Sequence, residues 1–387
     1  MRAIFAHGLK FHEDSSGKLY LRGYDSKYWH RYLKHFDELY VIGRKSHISD
    51  EALNGYNEFH GDNLHFVEVP EIHQLGNYRR NIKRTNTILE NVIKLVDVVI
   101  ARVPGTYSSM SIKLAKKHCK PYLIEMVGCP WDAYWNHSIK GKLVAPALTV
   151  STKRIVRNAP YVIYVTNDFL QKRYPTEGKY TNCSNVTLPL LSEDVLERRL
   201  KKIKNIKNNQ KVILGTTAAV DVRYKGQQYI IEALGKLKKQ GILNYEYQLV
   251  GGGDHSYLKS VAKEHDVEDH VKFMGSLTHE KVFEWLDGID LYTQPSRQEG
   301  LPRALIEALS RGLPSFGAKT GGIPELLESK YIFSNTNQNI DEICSILAKM
   351  TQDVMLEQSE RNFLEAKKYE STIIENRREN FFNNFLN

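Results

Sequence analysis

The run Asp290-Leu-Tyr-Thr-Gln-Pro-Ser-Arg-Gln-Glu299-Gly300-Leu301-Pro302-Arg303-Ala-Leu-Ile-Glu307-Ala-Leu-Ser-Arg-Gly312-Leu-Pro314 reads as one strand–loop–helix unit. A short apolar strand ends near Gln294 and a loop follows. Pro302 suits the first helical position, where no N–H is needed. Ala304, Leu305, Ala308 and Leu309 recur at the spacing of a buried helical stripe. Gly312 falls where a left-handed residue closes a helix. The helix start presents unpaired N–H groups and the positive end of the dipole, an arrangement that binds phosphate. Gly300 has no Cβ, so a ligand can approach the backbone closely. Glu299 and Glu307 lie beside this anion site and are repelled by a phosphate. Sugar hydroxyls are the fitting partners, one carboxylate gripping a transferred sugar and the other a ribose.

Outward from this unit, short apolar runs alternate with amphipathic ones along all 387 residues. In the first half, strands are predicted at Arg2–Ala6, Glu38–Gly43, Leu64–Val69, Asp97–Arg102, Tyr122–Val127 and Tyr161–Thr166, with helices at Leu75–Leu95, Ser108–Cys119 and Gly141–Arg157. In the second half, strands are predicted at Val212–Thr217, Tyr245–Val250, Val271–Met274, Ile289–Thr293 and Pro314–Phe316. The alternation predicts an α/β chain of two Rossmann-like, doubly wound parallel sheets. The first domain would span 1–190, a lysine-rich linker 191–210 and the second domain 211–361. A helical tail, 362–387, carries Arg377, Arg378, Phe381, Phe382 and Phe385 and wants an apolar groove. Ligands of open α/β sheets sit beyond the carboxyl ends of strands, so the cleft between the sheets is the predicted site.

Charge is uneven. The chain carries +9 overall. Residues 1–190 hold 27 Lys and Arg against 17 Asp and Glu, a balance of +10, and the remainder holds 27 against 28. The basic half favours an anionic partner or simply keeps the chain soluble. No recognition-helix, RRM or zinc signature supports nucleic acid. Four cysteines without a CxxC pair argue against zinc ribbons and thiol–disulfide chemistry. There is no run of about 18 apolar residues. Met1–His7 turns polar too soon for a signal peptide and reads as a strand. The expectation is a cytoplasmic protein, with peripheral contact on the inner face of the cytoplasmic membrane.

The string 290–314, continued by Gly321-Gly322-Ile323-Pro324-Glu325, resembles the signature of retaining glycosyltransferases of the GT-B architecture, family 4. The resemblance implies that Glu299 contacts the donor sugar and Glu307 the ribose. It implies that amides around Gly300, Leu301, Pro302 and Arg303 hold the distal phosphate, and that configuration is retained. Lys225-Gly226 match a family Lys-Gly whose cation binds the diphosphate. The family's Arg lies several residues earlier, where this chain has Val220, and Arg223 is the nearby substitute. The turn at Gly251 fits a Val-Gly-x-Gly, and the resemblance places the nucleobase at Gly275–Leu277. UDP is the default nucleotide and GDP the second. No Asp-x-Asp occurs, so the donor's charge falls to helix dipole, Arg and Lys, and catalysis without a metal or other cofactor is expected.

The first half matches the family more loosely. His7 ends the predicted first strand, and a flexible glycine loop near the donor phosphates would contain Gly17. Gly128-Cys129-Pro130-Trp131-Asp132 resembles a Gly-Asp-Pro-Trp-Asp pattern of bacterial surface-polysaccharide glycosyltransferases, with Cys129 replacing Asp. Glu125, Asp132 and His137 are the polar candidates on the acceptor side. Asp132, read in a loop at a strand end, is either catalytic or a helix N-cap. Trp131 and Trp135 either stack on sugars or pack. Helix Ile112–Lys120 and the run Lys140–Arg157 suit anionic lipid headgroups. The predicted activity is transfer to a glycan or lipid-linked acceptor in polysaccharide biosynthesis, the alternative being a GT-B epimerase or phosphorylase.

Overall fold

The computed structural model describes residues 1–53, 55–72, 77–136, 139–207, 210–242 and 244–387. The first sheet holds β1 (Arg2–Glu13), β2 (Leu19–Arg22), β3 (Glu38–His47), β4 (Tyr56–Glu58), β5 (Leu64–Glu68), β6 (Val98–Val103), β7 (Tyr122–Met126), β8 (Tyr161–Tyr164) and β9 (Lys179–Asn182). Its body runs β5-β3-β1-β6-β7-β8-β9, with every pair parallel. The second sheet holds β10 (Val212–Thr217), β11 (Tyr245–Val250), β12 (Val271–Gly275), β13 (Leu291–Gln294), β14 (Ser315–Ala318) and β15 (Ile332–Phe333). Its order is β12-β11-β10-β13-β14-β15, again all parallel. Strands β6, β7, β13 and β14 are buried along their whole length. Burial along the whole length is that of strands covered on both faces, and Arg102, Glu125, Thr293, Gln294 and Ser315 are the polar residues they carry inside.

Several elements depart from the sequence reading. β1 does not stop at Ala6. A register shift between Phe5 and Leu9 absorbs the break, and the strand continues beside β3 with Leu9 and Phe11 buried and Lys10 exposed. His7 therefore sits in mid-strand. Gly17 lies not in a flexible loop but at the tip of the β1–β2 hairpin, with φ at +84°. Asp14 ties this turn by accepting from Ser16 N at 2.9 Å and Lys18 N at 2.8 Å. Of the helix expected at Leu75–Leu95, the described part is Tyr78–Leu95.

The linker contains helix Glu193–Lys204, which is bound to the second half. Arg199, buried together with Ile203, donates to the carbonyls of Ile289 (2.6 Å) and Leu286 (2.7 Å). The tail is two helices, Gln352–Lys367 and Ser371–Leu386. The break falls where Ser371 N bonds Leu188 O at 2.8 Å, as the chain crosses back to the first sheet. There Phe382 stacks on His35 at 5.0 Å, and Tyr161 OH donates to Asn384 O at 2.9 Å. The aromatic cluster thus fills an apolar groove on the first half.

Candidate active site

β13 delivers the chain into the loop that begins at Pro295, and helix Arg303–Ser310 leaves it. Pro302 is the N-cap rather than the first helical residue, with φ −73° and ψ 111°. It is buried, and Arg303 behind it is exposed. Gly312 closes the helix at φ +62°. Gly300 faces the first half, where an added Cβ would meet Val127 O at 2.6 Å. The close approach made possible by its bare backbone is here taken up by that carbonyl. Leu301 packs against the apolar cores of both halves. The turn therefore lies at the seam between the sheets, at the carboxyl ends of their strands.

The two glutamates are held differently. Glu299 Oε1 accepts from Lys225 Nζ at 2.8 Å and from Gln294 Nε2 at 3.3 Å. Lys225 is delivered by a tight 3-10 turn, Arg223–Lys225, closed by Gly226 at φ +79°. A Cβ on Gly226 would lie 2.0 Å from Pro295 O, so only glycine lets this turn press against the loop that carries Glu299. Glu307, one turn into the helix, meets His279 Nε2 at 3.5 Å. That contact raises the His279 pKa above its ordinary value.

The Arg223 guanidinium lies 4.2 Å over the Tyr257 ring. Val220 is buried, with its N–H on Gly252 O at 3.1 Å. Gly251 spends its N–H on Gly275 O at 2.9 Å, and Gly275 ends β12 at φ +71°.

On the first half, Asp132 is in the first turn of helix Pro130–Trp135, not in a loop. It is not the cap. Cys129 is, its Sγ accepting from Asp132 N at 3.5 Å. Burial raises the Asp132 pKa, and Arg173, 3.7 Å away, opposes the rise. Trp131 and Trp135 stack on one another at 4.8 Å and 13°, and Trp135 remains 39% exposed. Glu125 does not face the opening. It is 2% exposed and accepts from Tyr32 OH at 2.8 Å, with Arg378 Nη1 at 3.9 Å. His7 points inward beside Arg102, and burial holds its pKa down to about 3. His137 lies outside the described residues.

A cavity of about 800 Å³ opens between the halves. Asp132, Trp135, Lys142 and Arg173 line it from one side, and Arg223, Tyr224, Arg297 and Lys319 from the other. A second, of about 730 Å³, adjoins it at Tyr224 and runs along helix Ile139–Arg157. Arg297 and Lys319 escaped the sequence reading, although Arg297 lies two residues before Glu299. So did a contact at Glu325, whose carboxylate accepts from the amides of Asn167 (2.6 Å), Asp168 (3.1 Å) and Phe169 (2.6 Å) in the first half. The only signal for it was its place after Gly321-Gly322.

Residues 197–369 match the family described as glycosyl transferases group 1. Over 373 residues the chain is 29% identical to the protein CapJ of Staphylococcus aureus, covering 95% of this chain and 90% of that one. A stretch of 111 residues is 40% identical to the amylovoran biosynthesis glycosyltransferase AmsK of Erwinia amylovora, 27% of either chain. Among solved structures, sucrose-phosphate synthase from Thermosynechococcus elongatus superposes with a TM-score of 0.67 at 12% identity, covering 100% of this chain and 98% of that one. Anabaena HepE in complex with UDP and glucose gives 0.64 at 16% identity over 99% of each. These likenesses establish the fold.

Proposed function

We propose that the chain, whose residues 197–369 match the glycosyl transferases group 1 family, moves a sugar from UDP to a glycan or lipid-linked acceptor in bacterial polysaccharide synthesis, retaining configuration and using no metal. The observation that carries this reading is the Lys225–Glu299 pair at the head of helix Arg303–Ser310, on the seam between the halves. A cation, a carboxylate and free helical amides meet there. Lys225 and the amides suit the diphosphate, and Glu299 suits the sugar hydroxyls. UDP is favoured because the structurally similar HepE is described with it.

In the reaction, the acceptor oxygen forms a bond to the anomeric carbon as the bond from that carbon to the β-phosphate oxygen breaks. The acceptor's proton passes to the departing phosphate. Charge placed on the leaving diphosphate supplies most of the rate, and orientation by the closed halves adds to it. The matched relative AmsK, described as an amylovoran biosynthesis glycosyltransferase, favours glycosyl transfer over an epimerase or phosphorylase.

Peripheral membrane contact is supported by helix Ile139–Arg157. It carries no acidic residue, and Ile139 (82%) and Leu143 (78%) stand exposed among Lys140, Lys142, Lys153 and Arg154. Among the described residues, no helix is long and apolar enough to cross a membrane. The test is thermal shift against UDP, GDP and their sugars, with EDTA present, because a ligand of the folded state raises its stability. No shift with any of them would sink the reading. An isomerised sugar formed without acceptor would turn it toward an epimerase.

A further inference from the structure

The cavity at Tyr224 is distinct from the cradle around Glu299, although adjacent residues build both. Lys225 turns to Glu299, while Tyr224 and Arg223 line the cavity. Five cations surround the cavity: Lys142, Arg173, Arg223, Arg297 and Lys319, against the single acid Asp132. Only Arg173 has an ion pair among the described residues, with Asp132. The others rest on rings or on nothing. Arg297 lies 4.2 Å over Tyr229, and Lys142 lies 5.6 Å over Trp135. The Arg297 Nε is buried without a hydrogen-bond partner.

Arg297 is also fixed in place. Its N–H donates to Tyr224 O at 2.7 Å, and its carbonyl accepts from Asn136 Nδ2 of the first half at 2.8 Å. Like charges gathered around one void repel each other, and a buried donor left unpaired costs free energy. An oxyanion held by the exposed ends of these side chains would relieve the repulsion. The exposed Trp135, braced by Trp131, offers a face for a sugar ring beside them.

We propose that this cavity is the acceptor subsite and that the acceptor is an acidic sugar, its carboxylate or phosphate ester held by Arg297, Lys319 and Lys142. This rests on the glycosyl-transfer reading above and narrows the substrate class. A planar Arg fork suits either oxyanion in bidentate fashion.

The experiment is calorimetric titration of the UDP-saturated protein with three probes: a glucuronic-acid-terminated disaccharide, its carboxyl-reduced neutral counterpart and mannose 6-phosphate. An acidic probe should bind at least about tenfold tighter than the neutral one, the scale of one charged hydrogen bond. Which acidic probe wins identifies the oxyanion. Arg297→Gln and Lys319→Gln should each erase that preference while UDP affinity stays at the wild-type value. Equal binding of acidic and neutral probes overturns the inference. So does loss of UDP affinity in these variants, which would make the cavity a donor-phosphate site. Failure of the wild type to bind UDP would instead overturn the transfer reading beneath it.

Discussion

Lys225 Nζ lies 2.8 Å from Glu299 Oε1, although 74 residues separate them along the chain. Neither side chain is free in this state. A bound diphosphate would draw the ammonium away and leave the carboxylate to accept from a sugar. The pair therefore keeps the cation in place before the donor arrives, and it joins two βα turns of the second sheet at their carboxyl ends.

Glu299→Gln is expected to lower kcat by roughly 100-fold or more, the scale for one group that touches the transition state. UDP affinity should hold, because Lys225 is then released from its partner. Steady-state rates and UDP titration check this together. A variant that transfers at the wild-type rate would end the assignment.

Lys225→Ala should act on the donor instead. Losing one charge-assisted bond to a phosphate costs about 1.5–3 kcal/mol, a rise of roughly 10- to 100-fold in donor KM. The measured split between KM and kcat separates it from the Glu299 variant.

His279 and Glu307 make stability depend on pH. The His279 pKa is raised, first by its hydrogen bond to Glu307. A raised histidine stabilises the fold fully below its unfolded value near 6.5, and the contribution fades as pH climbs through the higher folded value. Urea midpoints of wild type and His279→Asn should differ most near pH 5.5 and converge above that range. A constant gap across the series would show that the contact does not titrate.

Gly300→Ala tests the seam. The new Cβ would meet Val127 O at 2.6 Å, and that oxygen is backbone, so one half must move. Overpacking of this kind costs about 1–3 kcal/mol. A wider scattering profile, with transfer lost more than stability, is the expected result. Unchanged scattering would mean that the halves meet elsewhere.

What was legible from the residues divides along physical lines. Buried parallel strands such as β6 and β7 declare themselves as mostly apolar runs, and the helix after Glu299 declares itself through its stripe and closing glycine. β1 was cut short because the segment turns polar at His7, whereas a local register shift carries the strand past it. Asp132 was placed in a loop because a cysteine cap has no usual signature. The Lys225–Glu299 contact was implicit in the motifs, but Arg297 and Lys319 were not. Their meaning comes from a cavity whose walls are far apart in the chain.

Glu125 is the clearest case of a residue whose type misleads. A carboxylate at the end of a strand facing a cleft looks functional, yet this one is bound to Tyr32 and lies near Arg378 of the last helix. Arg378 also donates to Ser184 O at 3.0 Å, so it fastens that helix to the first half. Removing one member of a buried pair typically costs about 3–5 kcal/mol, because the other charge is left unpaired. Arg378→Met should therefore lower the melting temperature strongly, and Glu125→Gln in the same chain should restore part of the loss by removing the stranded charge. An acceptor-binding Glu125 would behave otherwise: Glu125→Gln alone would cut transfer and leave thermal stability where it was.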